Sequence, residues 1–393
     1  MKVLEPVKKY DYWIRGGHVI DPACNIDCVA DVLVTNSKFV PLPEGGRIDE
    51  NDVREVIDAR GNLVLPGLID HHAHFAWNHV DIGAMPDLYE FPNGVTSACD
   101  GGSVGSSGFG ALIRNTLAPS GLTMKALINV ASGGLLTSQY LENIDPANFD
   151  EKGLSYLFEV YPEYIHGLKL RLGKDISDGM GVEPLRASLE LAGRFEARLH
   201  LHATYPLEPM TEMIPLLRKG DVFCHSFQSM GNYNILDDGS GRVQKCVREA
   251  RERGVIFECA QGRIHCSFDV AKAAIDEGFF PDVISTDLVM VSVYQKRLFS
   301  LPLVMTRMLA LGMPLVEVIR ACTQTPAHLM GLEGRIGTMK PGASADVCIM
   351  KVAERPVELV DSYGKTVNYD RILIPLYTLK VGRVKYCHAD LFF

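Results

Sequence analysis

The segment from Leu65 to His74 reads LPGLIDHHAH and constrains the fold more than any other part of the chain. Its apolar first half is typical of a buried strand in a parallel sheet, because no polar residue alternates with the apolar ones. Residues two apart on a strand point to the same side, so His72 and His74 can offer two imidazoles to one metal ion, with Asp70 as a neighbouring partner. The alternative is a polar strand end with surface histidines, and the motif alone does not decide.

Composition narrows the class of protein. With 393 residues, 47% apolar and 22% charged, the chain suits a large barrel with a second unit. The formal charge of −9 argues against a nucleic-acid partner, and no run of about 18 apolar residues predicts a membrane span. Residues 1–9 show no signal-peptide pattern and the ten cysteines form no Cys-x-x-Cys pair, so we expect a cytoplasmic protein.

Short apolar runs alternate with helix-length segments after residue 61, which predicts βα units around a parallel sheet. The eight predicted strands are Leu63–Asp70, Gly94–Ala98, Met124–Val130, Gly167–Leu172, Ala197–His202, Asp221–His225, Val255–Ala260 and Asp282–Asp287. Helices are predicted at Pro184–Phe195, Gly241–Arg253 and Ser267–Glu277. Eight such units match a (β/α)8 barrel of the TIM type.

An open doubly wound sheet is the alternative architecture. It would need a Gly-x-Gly-x-x-Gly turn after the first strand. The glycine-rich stretch Gly101–Gly108 instead follows the second predicted strand, and no helix pattern opens directly after it. We therefore interpret this stretch as an active-site loop rather than a phosphate-binding turn.

Both ends of the chain predict a small β-unit. Tyr12–Pro22 reads as two strands joined by a turn at Gly16-Gly17, and further strands are predicted at Asp31–Val34, Glu55–Asp58, Val347–Met350, from Val367 onward and at Thr378–Arg383. The predicted fold class is therefore α/β, a (β/α)8 barrel with a small β-sandwich domain built from both termini. The predicted division places residues 1–62 and 336–393 in the sandwich and residues 63–335 in the barrel.

Six side chains with metal-binding or catalytic chemistry collect at the C-terminal ends of the predicted barrel strands, where barrel enzymes gather their functional groups. They are His72, His74, Lys169, His202, His225 and Asp287. Each has an ordinary structural explanation, such as an ion pair, a core histidine or a helix cap, but the six together predict a metal site. Imidazole and carboxylate ligands suit Zn²⁺, and Mn²⁺ or Fe²⁺ stay open.

Lys169 does not fit a metal site in its protonated form, because an ammonium group has no lone pair to donate. The neutral amine can react with CO₂ to give a carbamate, whose two oxygens can bridge two cations, and two cations beside it favour that neutral form. His71 and His79 are interpreted as solvent-exposed or neighbouring groups, and His166 and His200 as structural residues.

The sequence resembles the amidohydrolase superfamily, whose first-strand signature is similar to PGLIDxHxH at residues 66–74. The resemblance covers nearly the whole chain, and residues 167–171, 225–237 and 267–288 look like a dihydroorotase-like and deacetylase branch with members that hydrolyse acetyl-(R)-mandelate. It implies a binuclear site, with one ion held by His72, His74 and Asp287, the other by His202 and His225, and carboxylated Lys169 as a bridge. It also implies attack by a metal-bound hydroxide, with Asp287 carrying the proton.

Two departures from the family pattern bear on the substrate. Dihydroorotases are expected to place an arginine after the His-x-His pair, whereas Phe75 follows it here, so dihydroorotase activity is not expected. The branch usually has Gly-His-Gly at the end of the seventh strand, whereas this chain has Ala260-Gln261-Gly262 and then Arg263-Ile264-His265. Gln261 can hydrogen-bond a substrate, but it cannot transfer protons as a histidine would.

We predict a metal-dependent hydrolase that cleaves an amide or ester bond of a small acyl compound, either an N-acyl amino acid or an O-acyl hydroxy acid. Arg171, Gln261 and Arg263 are the predicted substrate-binding residues, because guanidinium groups bind carboxylates, although either arginine could instead pair with a protein acid. The alternatives are a cyclic amidase of the hydantoinase or dihydroorotase type, a deaminase, and a non-catalytic scaffold on the same fold. The expected partner is a small molecule, and formation of a homo-oligomer stays open.

Overall fold

A computed structural model describes residues 8–137, 139–177, 179–293 and 300–389. Within these residues the chain forms two sheets of eight strands each. The strands are β1 (Tyr10–Asp21), β2 (Ile26–Thr35), β3 (Lys38–Val40), β4 (Val53–Asp58), β5 (Leu63–Pro66), β6 (Leu68–Ala73), β7 (Val95–Asp100), β8 (Thr123–Asn129), β9 (Ile165–Arg171), β10 (Leu199–His202), β11 (Val222–Cys224), β12 (Ile256–Ala260), β13 (Val283–Ser285), β14 (Val347–Val360), β15 (Thr366–Lys380) and β16 (Arg383–Cys387).

Helices follow most of the barrel strands and cover the outside of the barrel. They are α1 (Pro86–Glu90), α2 (Phe109–Leu112), α3 (Glu151–Val160), α4 (Lys174–Ser177), α5 (Glu183–Arg194), α6 (Met210–Met213), α7 (Lys245–Arg253), α8 (Phe268–Asp276), α9 (Met290–Val293), α10 (Leu301–Ala310), α11 (Leu315–Cys322) and α12 (Gln324–Leu329). The three predicted helices correspond to α5, α7 and α8. Ser267 caps α8 by accepting a hydrogen bond from the Val270 N–H, and Gly254 ends α7 in the left-handed conformation.

The barrel confirms the predicted fold class. Strands β6 to β13 are hydrogen-bonded in parallel and in chain order. The first and eighth barrel strands close the circle through a bridge between Ala73 and Leu288. The Asp287 N–H donates to the His72 carbonyl at 2.6 Å, and the His74 N–H donates to the Leu288 carbonyl at 2.8 Å. Closure therefore takes place at the residues predicted to bind metal.

The second sheet is built from both termini, as predicted. Its strand order is β16-β15-β14-β5-β1-β2-β3, with β4 parallel to β1. Apolar side chains from both ends of the chain, including Ile14, Val34, Val347 and Leu379, share one buried cluster in this β-unit. Burial of that shared apolar surface joins the two termini beside the barrel.

The predicted first barrel strand, Leu63–Asp70, is wrong as a single element. Its first half is β5, which pairs with β1 and β14 of the mixed sheet, and its second half is β6 of the barrel, with Gly67 between them. An unbroken apolar run gave no signal for this change of sheet. The predicted boundary between residues 62 and 63 falls between β4 and β5 of the mixed sheet, and the division into domains stays a prediction.

One predicted turn and one predicted strand of the β-unit are also wrong. No hairpin forms at Gly16-Gly17: β1 continues from Tyr10 to Asp21, and one extra residue between Ile14 and Gly17 is absorbed as a bulge against β2. The predicted strand Thr378–Arg383 spans the end of β15, a turn at residues 381–382 and the start of β16. Gly-Gly marks a bulge as readily as a turn, because both need a residue with positive φ.

None of the described helices has the length and apolar character that a membrane crossing requires. Of residues 1–9, on which the signal-peptide prediction rests, residues 1–7 lie outside the described part of the chain.

A buried ion pair connects the mixed sheet to the barrel. Lys380, at the end of β15, lies with its Nζ 2.6 Å from Asp346 Oδ2 and 2.7 Å from the Oγ1 of Thr123, the first residue of β8. The side chains of Lys380 and Asp346 are only 5% and 1% exposed. Asp346 also accepts the N–H of Val381. Both charges are therefore satisfied within the protein rather than by water.

Replacing Lys380 with methionine should destabilise the protein by about 3–5 kcal/mol, because Asp346 would remain as a buried charge without its partner. Urea unfolding measures this loss. The matched control is Arg194→Met, which removes exposed ion pairs with Glu151 and Glu190 and should leave the unfolding midpoint unchanged. Equal losses in the two variants would contradict a linking role for the buried pair.

Candidate metal centre

The first group of candidate ligands lies where the barrel closes. His72 lies on β6, His74 directly follows β6, and Asp287 follows β13. The Oδ1 atom of Asp287 is 3.3 Å from His74 Nε2 and 3.8 Å from His72 Nε2. Candidate ligand atoms of all three side chains lie within 4.8 Å of one another, and the three residues are buried. Two imidazoles and one carboxylate at this spacing can bind one divalent cation.

The second group contains three histidines from neighbouring strand ends. His202 ends β10, His225 follows β11, and His265 lies in the loop after β12. Their candidate ligand nitrogens also lie within 4.8 Å of one another. The ring centres of His202 and His225 are 4.3 Å apart, and the ring of His225 is 5.2 Å from that of His72, which belongs to the first group. The two groups are therefore adjacent.

One nitrogen of the second group is held ready for a ligand. His225 Nδ1 donates to the Ala260 carbonyl at 2.8 Å, which fixes the tautomer and leaves the lone pair on Nε2. That Nε2 atom is buried and has no hydrogen-bond partner in the part of the chain that the structure describes. A buried polar atom without a partner costs free energy, and a bound cation would satisfy it.

Lys169, on β9, contacts the first group directly. Its Nζ lies 2.9 Å from His72 Nε2, and the side chain is 1% exposed. No carboxylate of a described residue lies within 4.0 Å of this nitrogen. A charged ammonium group buried without an acid partner is costly, whereas a carbamate at the same position would be an oxygen ligand. The surroundings fit the carboxylated form, which stays a prediction.

The sequence prediction missed Glu258, which orients the first ligand. This residue lies on β12 among apolar neighbours and is completely buried. Its carboxylate accepts hydrogen bonds from His72 Nδ1 at 2.9 Å and from His71 Nδ1 at 3.1 Å. With Nδ1 protonated, the Nε2 atom of His72 has its lone pair facing Asp287 and Lys169. A carboxylate behind a ligating histidine is a common feature of metal sites.

The glycine-rich loop after β7 orients the second ligand. His74 Nδ1 is 2.9 Å from the Ser103 hydroxyl, which itself donates to Asp100 at 2.7 Å. The loop also approaches the site closely: a Cβ added to Gly101 would lie 2.4 Å from the His72 ring, and one added to Gly102, whose φ is +88°, would lie 2.6 Å from Lys169 Cβ. Only glycine fits at these two positions.

A bulge in β6 changes which of its side chains face the barrel interior. The segment Asp70–Ala73 has one residue more than the segment Ala98–Asp100 of β7 with which it pairs. Because of this extra residue, His71 and His72 both reach Glu258. The solvent-exposed interpretation of His71 is therefore wrong, since this ring is fully buried. Asp70 does not join the metal ligands; it accepts hydrogen bonds from the backbone and hydroxyl of Thr286, directly before Asp287.

The protonation states favour metal binding. Burial lowers the pKa of His72, His202 and His225, so these imidazoles are neutral at pH 7 and keep a lone pair. Burial alone would raise the pKa of Asp287, but the imidazoles around it, led by His74, lower that pKa far below its usual range. Neutral imidazoles beside an ionised carboxylate form the donor set that a divalent cation requires.

Two candidate ligands have unusual backbone conformations. His225 has φ of +58° and Asp287 has φ of +52°, so both adopt the left-handed conformation directly after a barrel strand. Such a conformation costs a non-glycine residue roughly 1–3 kcal/mol and persists only where the surroundings enforce it. Here it turns each side chain from the strand end toward the centre of the barrel.

A cavity of about 250 Å³ opens onto the candidate metal centre. It is lined by His74, Asp81, Ile82, Leu135, Thr137, Tyr140, Leu141, Glu142, Lys169, Arg171, His202, Arg263, Ile264, His265, Asp287 and Val289. The structure thus brings all six predicted metal ligands either to this cavity or into contact with its lining.

The three predicted substrate-binding residues have different surroundings. Arg171 lines the cavity but pairs with the buried carboxylate of Glu142 at 2.7 Å. Arg263 lines the cavity, is exposed, and forms no ion pair with any described residue. Gln261 is completely buried and is not part of the lining, which speaks against its predicted contact with substrate.

His265 occupies the place that was expected for Gln261. Its Nε2 lies 3.4 Å from Asp287 Oδ2, and its Nδ1 lies 2.8 Å from the Thr204 hydroxyl. Burial lowers the pKa of His265 to about 4, so the ring is neutral at pH 7. The two-residue extension of the loop before it was the available sequence signal, because a longer loop can return a later side chain to the same site.

Substitution of Glu258 by glutamine should lower the affinity for zinc by roughly 10–100-fold, because His71 and His72 would lose their charged acceptor. Competition with a chromogenic chelator measures this affinity. Glu142→Gln is the matched control, since Glu142 lines the same cavity but contacts Arg171 rather than a candidate ligand. An unchanged affinity in the Glu258 variant would contradict the orienting role.

Comparison with known proteins agrees with the fold. Residues 183–371 match the model of the amidohydrolase family. A deacetylase of Brucella anthropi is 28% identical over 90% of this chain and 87% of its own length. Among solved structures, a dihydroorotase is 26% identical with a TM-score of 0.84, covering 95% of this chain and 97% of its own. An adenine deaminase is 23% identical with a TM-score of 0.86, covering 96% and 100%.

The eight-stranded parallel barrel carries histidine and aspartate side chains at the C-terminal ends of its strands, and two adjacent groups of them could each hold a metal ion. Similarity to the amidohydrolase superfamily extends over residues 183–371 by its family model and over 90% of the chain by the deacetylase relative. Members of this superfamily generally bind divalent metals and act on small molecules.

Proposed function

We propose that the protein is a binuclear metal hydrolase that cleaves the amide or ester bond of a small acyl compound carrying a carboxylate. An N-acyl amino acid or an O-acyl hydroxy acid is the proposed substrate. The observation that carries this proposal is that two groups of ligands and a buried lysine without an acid partner meet at one cavity, which also presents an exposed arginine. The deacetylase name of the Brucella anthropi relative supports the bond type.

In the proposed site, His72, His74 and Asp287 would hold one zinc ion, His202 and His225 would hold the other, and Lys169, once carboxylated, would supply oxygen ligands to both. Divalent cations in such a site supply Lewis acidity, which acidifies water and polarises a carbonyl group. The orphaned Nε2 of His225 and the acid-free surroundings of Lys169 are the features of this chain that fit the two ions.

Asp287 is the proposed proton carrier. One oxygen of its carboxylate faces His74 and His72, and the other faces His265. The Thr204 hydroxyl can donate to His265 Nδ1, which would leave the proton of the neutral ring on Nε2, 3.4 Å from Asp287 Oδ2. His265 thereby holds the carboxylate in place while Asp287 accepts a proton from water and passes it to the leaving amine or alkoxide.

Arg263 is the proposed anchor for the substrate carboxylate. It is the predicted arginine that retains a free guanidinium group, because Arg171 is already neutralised by Glu142. The lining of the cavity also includes Leu135, Tyr140 and Leu141, which suit an apolar acyl or side-chain group.

A hydrolysis screen tests the reaction. Free amine is measured for N-acyl amino acids, because their hydrolysis near pH 7 gives a carboxylate and an ammonium group without net proton release, and proton release is measured for the esters and hydantoin-type cyclic amides. Zinc-loaded protein prepared with bicarbonate is incubated with N-acyl amino acids of both hands, O-acyl hydroxy acids and cyclic amides, and ammonia release from adenine is followed separately. We expect turnover of acyl amino acids or acyl hydroxy acids, and a loss of roughly 10²–10⁴-fold in the Asp287→Asn variant. Turnover only of a cyclic amide or of adenine would replace the proposal by the corresponding alternative, and inactivity with no zinc bound would favour a scaffold.

Arg263→Ala should raise KM for the carboxylate-bearing substrate roughly 10–100-fold with little change in kcat, because a charge-assisted hydrogen bond to the ground state is lost. Steady-state kinetics with the free acid and its methyl amide separates binding from chemistry. The amide, which lacks the charge, should bind wild type and variant equally. A drop in kcat with constant KM would place Arg263 in another role.

The proposed location is the cytoplasm. All ten cysteines lie among the described residues and all are free thiols, which fits a reducing compartment. The expected partner is a small-molecule substrate, and self-association is left to measurement.

A further inference from the structure

A second cluster of histidines lies deeper in the barrel than the candidate metal centre. His71 comes from β6, His166 from β9 and His200 from β10. His200 is two residues before His202, which places it roughly 7 Å further down its strand. Candidate ligand nitrogens of the three rings lie within 4.8 Å of one another, and all three residues are buried.

The backbone holds these rings together in a fixed arrangement. The ring centres are 4.8 Å apart for His71 and His166, 5.3 Å for His71 and His200, and 5.0 Å for His166 and His200. His71 reaches this position only because of the bulge in β6. Each ring comes from a different barrel strand, so the geometry does not depend on a flexible loop.

Hydrogen bonding within the cluster leaves one nitrogen without a partner. His71 Nδ1 donates to Glu258, so the Nε2 atom of the neutral ring is an acceptor, and the 2.8 Å contact with His166 Nε2 takes its proton from His166. The Nε2 atom of His200, whose residue is 1% exposed, has no hydrogen-bond partner among the described residues. Three imidazoles therefore meet with a single hydrogen bond among them.

The charges around the cluster favour neutral imidazoles. Burial lowers the pKa of His166 well below its usual range. The positive charges of Arg198 and Lys125 act on His166 in the same direction, whereas the Glu258 carboxylate opposes them. Neutral imidazole is the form that binds transition metals. The carboxylate behind His71 offsets positive charge and fixes the tautomer in which Nε2 carries the lone pair.

We propose that His71, His166 and His200 bind a further zinc ion inside the barrel, separate from the candidate metal centre. Three imidazole nitrogens with a water molecule form a tetrahedral zinc site, in which ligand atoms lie about 3.3 Å apart when each bond is about 2.05 Å. The closest pair here must open by roughly 0.5 Å, replacing the His71–His166 hydrogen bond by two metal bonds. Glu258 then connects this ion to the candidate metal centre, called the upper site below, because its two carboxylate oxygens accept hydrogen bonds from His71 and His72.

Anomalous diffraction on crystals of the zinc-loaded full-length protein, recorded on both sides of the zinc absorption edge, locates each ion. An anomalous peak between the rings of His71, His166 and His200 is the expected result. A peak without anomalous signal would identify a water molecule and overturn the proposal. Peaks at the upper site are judged independently, so a failure of the proposed function and a failure of this inference give different maps.

Metal counting on variants provides a second test in solution. Zinc content by mass spectrometry after desalting should fall by one ion per chain in His200→Asn, while circular dichroism and the ions of the upper site are retained. His328→Asn is the matched control, since His328 is exposed and pairs with Glu333, and its zinc content should equal that of the wild type. Equal zinc content in the wild type and in a folded His200→Asn protein would overturn the proposal; if the variant does not fold, the anomalous map decides.

Discussion

The carboxylate of Glu258 is the interaction on which the candidate site depends. It is completely buried, yet the imidazoles of His72 and His71 lower its pKa well below the usual range against the opposing effect of burial. It also accepts the hydroxyl of Ser285, so one side chain on β12 ties together β6 and β13. A single buried charge thereby sets the tautomers of two histidines at the point where the barrel closes.

The residues that close the barrel are consequently also the residues that position the candidate ligands. The hydrogen bonds that join β6 to the end of β13 are made by the backbones of His72, His74, Asp287 and Leu288. Asp70 reinforces this junction from the other side by accepting the backbone N–H of Thr286. The left-handed conformation of Asp287 is maintained by these contacts, and its cost is offset by the folding of the whole barrel rather than by the site alone.

Much of the site followed from two rules of sequence reading. Buried parallel strands read as unbroken apolar runs, and functional side chains stand at their C-terminal ends, which is why Lys169, His202 and Asp287 were predicted from position alone. The period-two rule failed at His71, because a bulge is a property of the pairing with β7 that one strand does not reveal. Glu258 was missed because an acid within an apolar run is recognised as functional only when its partners are known.

The path of the loop after β12 was the other feature that could not be predicted from the sequence. Gln261 has the right place in the sequence to contact a ligand, but its side chain is buried outside the cavity, and His265 reaches Asp287 from four residues further on. The path of a loop depends on tertiary contacts, such as that between His265 and Thr204, which no local pattern encodes. The Gly16-Gly17 bulge and the division of the first apolar run at Gly67 belong to the same class of error.

The passage from β5 to β6 through Gly67 also determines how this protein can be dissected. The strand β6, which carries His72 and leads directly to His74, is preceded after a single residue by β5, which is buried between β1 and β14 of the other sheet. A fragment of residues 63–335 would keep β5 but remove its partners β1 and β14, and a strand with unpaired backbone groups of this kind recruits strands from other chains. Excision of the barrel by itself should therefore yield aggregates, and the mixed sheet has to be retained wherever the barrel is grafted or shortened.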